Sequence, residues 1–97
     1  MKWIEIIRLR SQGDIQDSVI DELLRSVANG DQGNGLISMK VYRNAWVNAD
    51  VSVHLHWKSS SVEPSESALG VRLAELFKEF GLINHSAWVE HKSRRTL

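Results

Sequence analysis

Few residues of this 97-residue chain are equipped for chemistry, and most of them are imidazoles and indoles. His54 and His56 stand two apart within Asp50–Lys58. If that segment is a strand, both rings share one sheet face with Cα atoms about 6.5–7 Å apart, close enough to ligate one metal ion. A metal centre needs a third ligand. His85 lies in a later strand-like segment, roughly 10 Å away across one intervening strand at about 4.8 Å per step, so the set is incomplete and no metal is expected. Hydrogen-bonded histidines at a subunit interface, sensitive to pH near neutrality, are the simpler reading. Trp57 has the opposite parity, with Val51, Val53 and Leu55, and should point to the covered side of a sheet as a core plug or the wall of a pocket. Trp88 shares parity with Asn84 and Ser86 and either lines a cavity or supplies interface area. Trp57, His54, His56, His85 and Trp88 are therefore the candidate ligand-binding residues, and no catalytic group is assigned. Trp3 and Trp46 fall near element ends and read as edge packing.

Several chemistries lack their anchors. No serine sits in a Gly-x-Ser-x-Gly elbow, and no lysine follows a phosphate-binding glycine run. The glycine-rich stretch Gly30 to Gly35 precedes a strand rather than a helix, so it lacks the dipole that helps hold phosphate. Asp21-Glu22 and Glu75 with Glu79 fall on helix faces where solvation explains them. The absence of cysteine removes disulfides, thiol catalysis and thiolate metal sites, which suits a reducing, cytoplasmic setting. No cofactor is expected.

The elements that must position these groups follow from hydrophobic periodicity. Trp3 to Leu9 is a β-branched-rich strand with apolar residues on both parities. Asp14 is placed to cap a helix whose face is Ile15, Val19, Ile20, Leu23, Leu24 and Val27, with Gly30 as its C-terminal stop. Leu36 to Tyr42 and Asp50 to Lys58 read as strands joined by a hairpin over Asn44 to Ala49. After the connector containing Pro64, a second helix presents Leu69, Leu73, Leu76, Phe77 and Phe80 and ends at Gly81. Leu82 to Glu90 is the fourth strand, followed by a frayed basic tail.

The order is β-α-β-β-α-β, one domain over residues 1–97. It predicts an α+β, ferredoxin-like fold: a four-stranded antiparallel sheet ordered 4-1-3-2 with both helices on one face. Strands one and four carry apolar residues on both parities, so the uncovered face also needs covering, and a homodimer pairing through its sheets supplies the cover. Twelve basic against twelve acidic residues leave no global field for nucleic acid or an anionic membrane. No apolar run approaches the roughly 20 residues that span a bilayer, and the first ten residues lack a signal-peptide core.

The segment His56-Trp57-Lys58-Ser59, a polar connector and then an amphipathic helix resembles the dimeric α/β-barrel superfamily, specifically its antibiotic-biosynthesis-monooxygenase-like domains. Element order and length match over nearly the whole chain. The resemblance implies two ferredoxin-like subunits paired through their sheets, with a pocket between helices and sheet in each. It also implies cofactor-independent oxygenase chemistry or binding of a small apolar or aromatic ligand, the alternative being a non-catalytic dimeric structural, regulatory or interaction module. In the haem-degrading branch a tryptophan at the end of strand three contributes to the pocket, and Trp57 occupies the matching place. That branch's second-helix histidine and strand-one asparagine have no counterpart in Ser65 to Phe80 or Trp3 to Arg10.

Overall fold

The computed structural model describes residues 2–28, 35–58 and 64–94. Strand β1 (Lys2–Ser11) alternates cleanly: Trp3, Glu5, Ile7 and Leu9 are buried, Lys2, Arg8 and Arg10 are exposed, and Ile4 and Ile6 are half-buried. It runs two residues past Leu9 because Ser11 still pairs with Gly81. Strand β2 (Leu36–Arg43) extends one residue beyond expectation, and β3 (Asp50–Lys58) occupies the expected span. Strand β4 (Gly81–Val89) starts one residue early. All neighbours are antiparallel in the order β2-β3-β1-β4, the expected arrangement, so β1 lies between β3 and β4.

Helix α1 (Asp17–Ala28) begins three residues after the expected cap at Asp14. Ile15 is drawn into the core as a separate anchor, and the first turn closes only where the Gln16 carbonyl accepts from Val19 and Ile20. Arg43 fixes that start by donating to the Ile15 carbonyl and the Asp17 carboxylate at 2.7 and 2.8 Å. The expected stop at Gly30 lies outside the described residues. Helix α2 (Ala68–Phe77) is capped by Ser67, whose Oγ accepts from Gly70 N at 2.9 Å. It ends at Phe77, not Gly81. Gly81 instead opens β4 opposite Ser11, where a Cβ would run into the Arg10 carbonyl, so strand approach rather than helix termination requires the glycine there.

The β2–β3 hairpin is closed by Asn44, whose Oδ1 accepts from the backbone of Trp46 and Val47 and leaves the Trp46 indole in solvent. Both helices contribute to one core against the odd-numbered residues of β1 and β3, including Ile20, Val27, Leu69, Leu73 and Phe77 over Ile7, Val53 and Leu55. Trp3 belongs to this core rather than to an edge. Its strand is flanked on both sides, and its ring stacks on Trp57 with centroids 5.6 Å apart.

Among the described residues no helix covers the other sheet face. Its middle carries Ile4, Ile6, His54 and His56, with Tyr42 and Trp88 beside them on β2 and β4. His54 meets the Ser52 hydroxyl at 3.1 Å and the Tyr42 ring at 4.6 Å. Lys40 and Ile6 oppose it on the adjoining strands. Burial lowers the His54 pKa, and neighbouring His56 lowers it further. The folded chain thus binds this proton less readily than the unfolded one. Its stabilising effect is complete above the ordinary value of 6.5 and is lost as pH falls through the depressed one. Denaturation midpoints should decline as pH drops below about 6.5, and His54→Gln should flatten that part of the profile. A midpoint that is flat in the wild type across this range would contradict the assignment.

Candidate functional site

The polar centre of the molecule lies on the helix side, and its hub is Glu5. This carboxylate sits in a row of core residues on β1, with no exposure to solvent. Such a group is tolerated only with its lone pairs filled. Oε1 accepts from Trp57 Nε1 at 3.1 Å and from Ser67 Oγ at 2.6 Å. Oε2 accepts from Ser67 N at 3.0 Å and lies 2.5 Å from His85 Nε2. The Ser67 hydroxyl accepts from Gly70 N, which leaves its own proton for Glu5. The cap of α2 and the carboxylate are thereby one hydrogen-bonded unit.

His85 reaches this unit from β4, where Ile7 stands between it and Val53. Its side chain is 10% exposed, and Nδ1 faces outward, 3.8 Å from Oε2 of the solvent-exposed Glu66. With Nε2 directed at a carboxylate, Nδ1 is the nitrogen that can accept or hold a proton. Gly70 makes the close approach possible. A Cβ there would overlap the Glu5 carboxylate and crowd His85 Nε2.

The structure divides the five sequence candidates between two faces. Trp57 and His85 converge on Glu5, while His54, His56 and Trp88 lie on the opposite face. His85 therefore cannot complete a set with His54 and His56 as the across-strand distance suggested, because its parity turns it towards α2. Trp88 is largely exposed and donates to Ser86 Oγ at 2.8 Å. Among the described residues no three His, Asp or Glu groups are placed to hold a metal ion. A separate depression of about 360 Å³ lies at one end of the sheet, lined by Arg8, Tyr42, Ser52 and Asn84 beside the Arg10–Asp50 ion pair. There the Arg10 guanidinium, through its hydrogen bonds, holds the Asp50 carboxyl below its ordinary range.

Glu5 and Ser67 were not among the sequence candidates. The available signal was parity: Glu5 alternates in register with Ile7 and Leu9 and is the lone charge in that series. Its partners lie 52 to 80 residues away, which no local pattern reveals.

Fold and site together define a ferredoxin-like α+β protein with a buried carboxylate–imidazole pair at the helix–sheet junction. No family model and no curated protein matches the sequence. In structure the chain is similar to Rv0793 from Mycobacterium tuberculosis, with a TM-score of 0.64 and 13% identity over 98% of this chain and 100% of that one. That likeness shows the fold alone. Among the described residues no helix is long and apolar enough to cross a membrane.

Two substitutions report on this centre. Helix propensity alone favours Gly70→Ala by about 1 kcal/mol, but overlap with Glu5 should reverse the sign and give a net loss of about 1–3 kcal/mol in chemical denaturation. His85→Ala removes one of four donors from the buried carboxylate and should cost about 1.5–3 kcal/mol. A neutral or stabilising result for both would mean that Glu5 is not held as described.

Proposed function

We propose that the chain acts as a homodimer, sheet against sheet, that binds a small apolar or aromatic molecule at the helix–sheet junction. This is the ligand-binding, monooxygenase-like reading that the sequence resemblance implies. The observation that carries it is the fully buried Glu5 linked to the surface through His85. A core built only for stability does better with a packed apolar side chain at such a position, since replacing buried ionic groups by hydrophobic ones is often neutral or stabilising. The indoles of Trp3 and Trp57 beside the pair offer aromatic surface next to polar groups, a combination common to small-molecule sites.

The distribution of residues on the open face supports the dimer. Ile4, Ile6, His54 and His56 occupy its middle, whereas charges stand around them, Lys40 at the side on β2, Lys2 and Lys58 at one end and Arg8, Arg10 and Asp50 at the other. An apolar centre with a charged rim is the anatomy of a protein interface. His56 Nε2, buried and without a hydrogen-bond partner among the described residues, also suits a face that receives a second copy. A cytoplasmic setting accompanies this reading, supported by the cysteine-free composition.

A second reading, a dimeric interaction module without catalysis, is favoured by the Trp3–Trp57 stack, which fills core volume that a roomier pocket would leave open. Native mass spectrometry of protein from its source or a cell-like host separates the two. A dimer with retained small-molecule mass is the expected result. A ligand-free dimer favours the module, and a monomer removes the sheet pairing. Ile6→Asp, at the centre of the open face, should convert the dimer to monomer at micromolar concentration while far-UV circular dichroism is unchanged.

A further inference from the structure

We infer that His85 is a proton acceptor, oriented by Glu5, for an uncharged O–H or C–H acid, and that the ligand reaches His85 Nδ1 by displacing Glu66. The inference rests on the ligand-binding reading and specifies its chemistry. Three of the groups around Glu5 are donors towards it: the Trp57 indole, the Ser67 amide, and the Ser67 hydroxyl whose oxygen is already engaged by Gly70 N. Glu5 thus acts as an acceptor, which assigns the proton between it and His85 to Nε2. In its uncharged form His85 then carries its free lone pair on Nδ1. A carboxylate fixing the tautomer and direction of an imidazole is the arrangement by which enzymes present a general base, with the carboxylate in a positioning role.

Charge selects the ligand class. Glu5 and Glu66 flank His85, and among the described residues no lysine or arginine pairs with any of the three. Among the described residues no ion pair brings a cation to this site, so an incoming carboxylate or phosphate would meet the Glu5 and Glu66 carboxylates, whereas a neutral acid carries no charge for them to repel. Glu66 is mostly exposed and 3.8 Å from Nδ1, so it can swing into solvent without disturbing the core. On transfer the ligand X–H bond breaks, Nδ1–H forms, and the electron pair stays on X. The resulting imidazolium keeps its Nε2–H on the Glu5 carboxylate, which favours the charge that develops.

The test uses 4-nitrophenol, whose phenolate is yellow, at a pH where the free phenol is uncharged, with 4-nitrobenzoate as the anionic control. Wild-type protein should raise the phenolate fraction about tenfold over buffer, equivalent to one unit of acidity. His85→Gln should abolish the rise, His91→Gln, at an exposed histidine beyond β4, should leave it intact, and 4-nitrobenzoate should not compete. Glu66→Ala should tighten phenol binding, and weaker binding would overturn the displacement step. Phenol bound in equilibrium dialysis without phenolate formation overturns the proton acceptor and leaves ligand binding standing. No phenol binding, or competition by 4-nitrobenzoate, overturns the neutral-acid class, while retained native ligand is judged separately by mass spectrometry. Long-range nitrogen–proton NMR of the wild type guards against misfolded variants. It should show His85 with a protonated Nε2 and bare Nδ1, and the opposite tautomer would refute the assignment. Glu5→Gln should mix the two tautomers, a change that a merely space-filling role for Glu5 would not produce.

Discussion

A carboxylate removed from water must find donors, and in this protein that requirement joins every layer of the fold. Glu5 takes its hydrogen bonds from β3 through Trp57, from the N-terminus of α2 through Ser67, and from β4 through His85. One side chain on a central strand thus fixes where α2 begins, how near it lies to the sheet, and which way the β4 imidazole turns. Gly70 follows from the same constraint, because only a residue without Cβ lets the first turn of α2 rest against the carboxylate. Helix propensity would ordinarily disfavour glycine at that position. Here contact geometry outweighs propensity.

The two sheet faces meet different physical demands. On the helix side the odd-numbered residues of β1 and β3 are packed beneath α1 and α2 in one core, interrupted by the Glu5 centre. On the open side the alternate residues are half-buried or exposed and mix aliphatic, imidazole and basic groups. Strict period-two alternation keeps these sets apart, since a slip of one residue would put His54 and His56 into the core and Val53 and Leu55 into solvent. Paired register on both sides of β1 prevents such a slip.

Much of the architecture was legible because it depends on local periodicity. The alternation in Asp50–Lys58 defined β3 to the residue, and the order of elements implied the sheet order that the structure has. Errors arose where a distant contact decides the outcome. Asp14 has a good capping side chain, but burial of Ile15 and the reach of Arg43 from β2 delay α1 to Asp17. Gly81 looks like a helix stop, yet its small size serves the approach of β4 to β1. Glu5 was hidden for the same reason: a glutamate among isoleucines reads as a solvent-facing charge until its parity with Ile7 and Leu9 is weighed.

The histidines show why spacing alone is a poor guide to chemistry. His54 and His56 have the more suggestive sequence pattern, but His54 is met by a serine hydroxyl and a tyrosine ring, and His56 Nε2 finds no partner among the described residues. Among the described residues neither is paired with a carboxylate that would set its tautomer. His85, with no motif around it, is held by a buried acceptor that is itself immobilised by three further donors. An imidazole useful for proton transfer needs a fixed orientation and one free nitrogen near the surface. Of the three, His85 alone combines them, because β4 lies beside β1 and parity turns its side chain towards Glu5.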